Sequence, residues 1–206
     1  VVAFTLFIAF ELMWKNGYEL EPALRSSVFQ VVSFITTTGL LSDDPAVWPH
    51  VTWVALAVCM FFGACSGSTS GGFKCIRCVM LLKIIKNEFR QMLHPNAVLP
   101  MRVDGTNVPS SKRVTLLAFL SIYLILCLFC SFSMIAMGID NTNAITITLS
   151  SLGNVGPTLG TEIGPTMSWS ELPVAAKWIC SVLMLIGRLE IFSVLVIFTP
   201  QFWKEN

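Results

Sequence analysis

Two short tracts of this chain carry residues suited to presenting backbone oxygen. Thr36, Thr37, Thr38 and Gly39 form the first; Gly153, Asn154, Val155 and Gly156 form the second. Glycine permits backbone angles barred to other residues and lets the main chain come close to a ligand. An extended tract aimed at a common axis offers carbonyls that replace the water shell of an alkali cation. The segment before each tract reads as a short helix, whose carbonyl end adds negative potential for a cation beyond it. Taken singly, each tract also fits an ordinary re-entrant loop capping a helix bundle. Their recurrence in matching frames favours the cation reading.

Two further features could act on such a site. The first is the run Gly63-Ala64-Cys65-Ser66-Gly67-Ser68-Thr69-Ser70-Gly71-Gly72, followed by Phe73 and Lys74. Ten small residues after an apolar helix form a flexible plug that could move aside for an ion; close helix packing through small residues is the plainer alternative. A phosphate-binding loop fails because Gly72-Phe73-Lys74 breaks the Gly-Lys-Ser/Thr ending. A nucleophile elbow fails because Thr69 stands where serine is needed. The second feature is Arg188, eleven positions beyond Lys177 in an apolar run and therefore about 16 Å further along a helix. A cation at that depth needs a wet cavity or partners. Glu190 is near in sequence, but residues two apart on a helix do not face one another. Arg188 is thus expected to face a pore, with a structural ion pair to another span as the alternative.

Positioning these groups is a task for membrane helices. Of 206 residues, 54% are hydrophobic and 12% charged, and the mean hydropathy is +0.74; soluble domains carry about 25% charged residues. The net charge of +1 excludes little by itself. Seven cysteines lie mostly in apolar runs, and the Cys75/Cys78 and Cys127/Cys130 pairs lack nearby histidine, since His50 and His94 are distant in sequence. Buried thiols are expected there, not a metal or redox site. The chain opens at Val1 inside apolar sequence with no leader pattern, so further segments are expected to precede it.

Residues 114–139 contain no charged side chain, and about 39 Å of helix crosses a bilayer with tilt. Residues 1–14 resemble the tail of a similar span. A third begins near Thr52, meets the Gly/Ser run at about half the membrane depth, and resumes from 73 to 90. A fourth is expected from 173 to 202. Residues 22–40 and 142–157 are too short and polar to cross, and read as re-entrant half-helices followed by extended backbone. Arg77, Lys83, Lys86, Arg90, Arg102, Lys112 and Arg113 fall on one side, whereas 41–51 and 139–172 hold no Lys or Arg; the basic side is expected to be cytoplasmic. The opposite side carries Asp43, Asp44, Asp140, Glu162 and Glu171 and would concentrate cations.

An internal repeat links the two tracts. Residues 32–40 lie over 149–157 at an offset of 117, with Ser33/Ser150 and Gly39/Gly156 identical. Both units read as span, re-entrant loop, span, in one orientation. The expected fold is an all-α integral membrane protein with two parallel span–re-entrant pore loop–span repeats, divided as 1–95 and 96–206.

In its motifs the chain resembles the Trk/Ktr/HKT superfamily of potassium transporters, in its bacterial branch. The resemblance rests on Ser33-Phe-Ile-Thr-Thr-Thr-Gly39, the run from Gly63 to Lys74, His94-Pro-Asn-Ala-Val, Leu152-Gly-Asn-Val-Gly-Pro157 and Gly187-Arg-Leu-Glu190. It implies four such repeats around one pore, of which this chain matches the third and fourth; the N-terminal pair must come from elsewhere in the native polypeptide. It implies that Gly39 and Gly156 are filter glycines and that the carbonyls of Thr37, Thr38, Asn154 and Val155 bind potassium, with Thr36 and Gly153 adjacent. Gly67, Ser68, Gly71, Gly72, Lys74 and Arg188 fall on the gate. It also implies a homodimer in membrane lipid of the bacterial inner membrane, and a cytoplasmic nucleotide-binding regulatory ring. Neither a cofactor nor nucleic acid is implied, and there is no covalent chemistry. An ion-coupled symporter, an intramembrane hydrolase and a membrane-anchored scaffold are the competing readings.

Overall fold

A computed structural model describes residues 1–63, 71–94, 101–103, 105–160, 164, 168–189, 191–197 and 202–203. Helix α1 (Val2–Asn16) ends where Gly17 takes a left-handed φ of 68°, a cap that glycine adopts without strain. The chain turns at once into α2 (Leu20–Ile35), with Pro22 in the first turn, where its missing N–H would have had no partner. The 16 residues of α2 cover about 24 Å, less than the ~30 Å hydrocarbon layer. A 3₁₀ turn at Pro45–Val47 leads into α3 (His50–Phe61).

Strand β1 (Phe62–Gly63) then pairs in parallel with β2 (Phe73–Lys74), and α4 (Cys75–Leu93) follows. Helix was expected from Phe73 onward. It starts two residues later because Phe73 is fully buried, stacked on Phe61 at 5.6 Å, with its backbone engaged in the strand pair. A small hairpin, β3 (Arg102–Val103) with β4 (Thr106–Asn107), precedes α5 (Ser110–Ala136). After α5 come α6 (Asn141–Gly153), a 3₁₀ turn at Trp169–Glu171, α7 (Val174–Arg188) and α8 (Ile191–Ile197). Asp140 caps α6 by accepting from the N–H groups of Thr142 at 3.0 Å and Asn143 at 3.5 Å.

Among the described residues one helix, Ser111–Ala136 with a mean hydropathy of 2.5, is long and apolar enough to cross a membrane unaided. The fourth span, expected to run unbroken from 173 to 202, is instead interrupted: α7 stops at Arg188, and Leu189 leaves helical geometry with φ −86° and ψ 4°. Gly187 is a poor helix former and its backbone is pressed against α6, so the helix ends where packing and propensity both fail it.

Three helices in succession, with a tight turn after the middle one, occur twice, as α1–α2–α3 and as α5–α6–α7. The two units interlock. Val155 and Leu159, from beyond α6, are buried in the core of the first unit with Phe34, Leu56 and Met60. A second core gathers Phe73, Phe119, Tyr123, Leu152 and Leu183. Tyr123 is 1% exposed, and its hydroxyl has no hydrogen-bond partner among the described residues. An unmet buried hydroxyl costs about 1–3 kcal/mol. Tyr123→Phe should therefore leave the thermal unfolding midpoint in detergent unchanged or raise it; a clear fall would show that the hydroxyl is used.

Candidate cation site

Both short helices end in the same turn. At the end of α2 the Thr36 N–H still donates to the Val32 carbonyl at 2.9 Å. The ladder then tightens: Thr37 N–H reaches Phe34 O at 3.3 Å and Thr38 N–H reaches Ser33 O at 2.9 Å. At the end of α6, Asn154 N–H reaches Ser151 O at 3.2 Å and Val155 N–H reaches Ser150 O at 3.0 Å. Left-handed φ values follow the same frame, 55° at Thr37 against 56° at Asn154, and 73° at Gly39 against 109° at Gly156. Every pair is separated by the 117 residues of the sequence repeat. The repeat is a repeat of backbone geometry.

Extended backbone with glycine as its special residue was the expectation here. The tracts instead hold two left-handed residues each, and one of these is not glycine. Asn154 tolerates that region; Thr37, being β-branched, does so at a cost of about 1–2 kcal/mol. Bonds around the turn hold it there. Ser33 Oγ donates to Leu40 O at 2.6 Å, and in the second unit Ser150 Oγ accepts the Gly156 N–H at 3.0 Å. Thr36 and Thr38 share a hydroxyl–hydroxyl bond of 2.8 Å. The one identical serine pair in the repeat was the sequence signal for these ties.

With the N–H groups of Thr37, Thr38, Asn154 and Val155 turned back on their helices, none of the four carbonyls accepts a hydrogen bond among the described residues. The two tracts also touch. A Cβ built on Gly39 would run into the Val155 carbonyl oxygen and lie 3.0 Å from Cδ of Pro157. Thr36, Thr38 and Gly156 are exposed, Thr37, Gly39 and Asn154 half-buried, and Gly153 and Val155 buried.

Close beside this pair of turns lie three chain segments. Gly71 backs onto the carbonyl of Gly153, and Gly187 onto the carbonyl of Leu152; a Cβ at either glycine would collide with that oxygen. Asn154 Nδ2 donates to Met184 O at 3.2 Å, tying the second tract to α7. A Cβ on Gly153 would stand 3.1 Å from the Met60 carbonyl at the end of α3. The C-terminal, carbonyl-rich ends of α3, α6 and α7 therefore converge, and Gly72, Lys74 and the exposed Arg188 lie on the segments that surround them. Partial negative charge at those helix ends favours a nearby cation. Gly67, Ser68 and Glu190 lie outside the described residues. Gly187, given no role of its own in the sequence, makes a close approach of α7 to α6. Gly187→Ala should overpack that contact at a cost of about 1–3 kcal/mol, read as a lower unfolding midpoint; an unchanged midpoint would place the two helices further apart.

Tyr18, in the link between α1 and α2, donates from its hydroxyl to Asp43 Oδ2 at 3.1 Å. Burial first, then the bond and charge of Asp43, push this phenol above its ordinary value of 10.0. The folded-state value is raised, so the bond's contribution is complete below pH 10 and is lost only as the pH climbs through the raised value.

Two three-helix units meeting at paired turns, in a chain this apolar, define a helical membrane protein. Comparison with known proteins narrows the class. Residues 6–205 match the TrkH family, described as cation transport protein, and the chain belongs to that family. It is 39% identical over 194 residues to the Trk system potassium uptake protein TrkH of Halomonas elongata, covering 94% of this chain and 40% of that protein. It is 35% identical over 205 residues to the protein of the same name from Escherichia coli K12, covering 100% of this chain and 41% of that one. The crystal structure of the potassium transporter TrkH from Vibrio parahaemolyticus superimposes with a TM-score of 0.90 at 34% identity, over 98% of this chain and 43% of that chain. The chain thus spans about 40% of the length of the curated relatives it matches. The family is one of transport proteins, not of enzymes.

Proposed function

We propose that this chain forms half of a potassium-selective pore in a bacterial inner membrane. The carbonyls of Thr37, Thr38, Asn154 and Val155 act as the ion's ligands, and Gly39 and Gly156 let the backbone come close. The observation that carries this reading is the pair of matching turns whose four carbonyls accept no hydrogen bond among the described residues while the turns themselves touch. Main-chain oxygens left in that state suit a dehydrated cation. The relatives' names, as potassium uptake proteins, support potassium as the ion.

Residues 1–95 and 96–206 serve as two pore repeats, and two more of the same design complete the ring from elsewhere in the native polypeptide. Support comes from an asymmetry. α3 of the first unit packs on α6 of the second, while the corresponding short helix α2 leaves Val28, Phe29 and Val32 exposed. Those residues border an open cavity of about 290 Å³ that also reaches Thr36 and Thr38. The 63–72 segment, including Gly67, Ser68, Gly71 and Gly72, gates the pore together with Lys74 and Arg188. The complete protein dimerises in lipid, and a nucleotide-binding ring docks on the face carrying the basic residues between 77 and 113.

A chimera tests the proposal. This chain replaces the aligned segment of the Vibrio parahaemolyticus transporter in a bacterium stripped of its own potassium uptake. Growth at low potassium and rubidium uptake are expected to return; a chimera present in the membrane at normal amounts but unable to take up either ion would refute the reading.

A further inference from the structure

Asp43 lies beyond the first tract, outside the residues assigned to ion contact, yet it organises the chain that leaves that tract. Its Oδ2 accepts from the Tyr18 hydroxyl at 3.1 Å and from the Trp48 indole N–H at 3.3 Å. Its Oδ1 accepts the Asp44 backbone N–H at 2.9 Å, and its own backbone carbonyl accepts from Gln30 Nε2 at 2.9 Å. Gln30 is fully buried on α2, one turn before Ser33, whose hydroxyl holds the Leu40 carbonyl. Further along, Trp53 Nε1 donates to Pro45 O at 2.7 Å and Asn16 Nδ2 to Val47 O at 3.0 Å. The segment from Leu40 to Val47 is therefore pinned to α1, α2 and α3, and Asp43 is the only one of these anchors that joins three partners through an ionisable side chain.

The second unit is built differently. The repeat offset places Gly160 opposite Asp43 and Ile147 opposite Gln30. Among the described residues, the bonds on its outgoing chain include two neutral ones, Thr146 Oγ1 to Leu159 O at 3.0 Å and Thr158 Oγ1 to Gly164 O at 3.3 Å. Hydrogen bonds to a charged acceptor are stronger than neutral ones, so the bonds of Asp43 hold the exit of the first tract firmly.

We infer that Asp43 is a positioning residue for ion selectivity: by clamping the exit of the first tract it fixes the spacing of the Thr37 and Thr38 carbonyls, and so disfavours their contraction around sodium. This rests on the filter reading above. Where a cage selects by size, a tract free to shrink loses discrimination in favour of the larger ion.

The test uses the chimera reconstituted in liposomes, with potassium and sodium flux measured separately beside the unfolding midpoint. Asp43→Ala is expected to lower the potassium-to-sodium flux ratio by about tenfold, the equivalent of one charge-assisted hydrogen bond. Asp43→Asn, which keeps one acceptor oxygen, should fall between the variant and the parent, and Tyr18→Phe should shift the ratio in the same direction by less. If Asp43→Ala fails to reach the membrane, the other two substitutions decide the matter. A lower midpoint with both fluxes reduced equally, and the ratio unchanged, would overturn the proposal and leave Asp43 a purely structural residue. Gly39→Ala run in parallel separates the two ideas. Lost flux in Gly39→Ala with an unchanged ratio in the Asp43 and Tyr18 variants rejects the clamp and keeps the filter; unaltered flux in Gly39→Ala rejects the filter itself.

Discussion

Potassium flux through the chimera falls by at least about a hundredfold when Gly39 becomes alanine, and by much less when Gly156 does. Both glycines have left-handed φ, 73° and 109°, so both substitutions carry backbone strain of about 1–3 kcal/mol. Only one carries a collision. The new Cβ at Gly39 would run into the Val155 carbonyl oxygen, whereas among the described residues nothing lies within 4 Å of one at Gly156. Backbone cannot swing aside as a side chain end can, so the Val155 carbonyl must turn or the tracts must part. Strain plus the loss of one ligand oxygen sums to at least about 3 kcal/mol, roughly a hundredfold. Rubidium uptake into liposomes checks this at matched protein amounts. Equal losses in the two variants would mean that the contact between the tracts is not used in conduction.

Neutralising Arg188 is expected to act in the opposite direction. The residue ends α7 directly after Gly187, whose backbone abuts Leu152 just before the second tract. Any unit charge held ~8 Å from a cation at an effective dielectric near 20 raises the cation's energy by about 2 kcal/mol, or roughly thirtyfold in occupancy, which sets the upper scale of the effect. Arg188→Gln keeps the length and polarity of the side chain and removes the charge. Potassium flux should rise by about tenfold or more, and arginine's exchange for lysine should leave it near the parent level. Unchanged or reduced flux in a well-folded Arg188→Gln protein would assign the residue to holding helices together and leave the barrier to other groups.

Those two effects trace back to features of different legibility. Helix α5 was plain in the sequence because an unbroken apolar run of its length matches the thickness of a bilayer. The short helices α2 and α6 followed from length against membrane thickness, and the offset of 117 from two small identities, serine and glycine, that recur in frame. These turn out to be the residues that tie and bend each turn. The left-handed conformation of Thr37 was not legible, since threonine disfavours it and only the surrounding hydrogen bonds enforce it. Nor was the interruption at Leu189, because the run from 173 to 202 is apolar enough to continue as helix; the close approach of Gly187 to α6 is a tertiary fact. The cluster around Asp43 joins positions 18, 30, 43 and 48, which follow no helical or strand period. In the sequence it registered only as one acidic residue among several on the expected outer side.

Anomalous scattering from crystals of the chimera grown in rubidium or thallium salts bears most directly on the central claim. A peak bounded by the carbonyl oxygens of Thr37, Thr38, Asn154 and Val155 is the predicted result. Crystals that diffract well and place the heavy cation elsewhere, with those four oxygens facing lipid or packed protein, would contradict it.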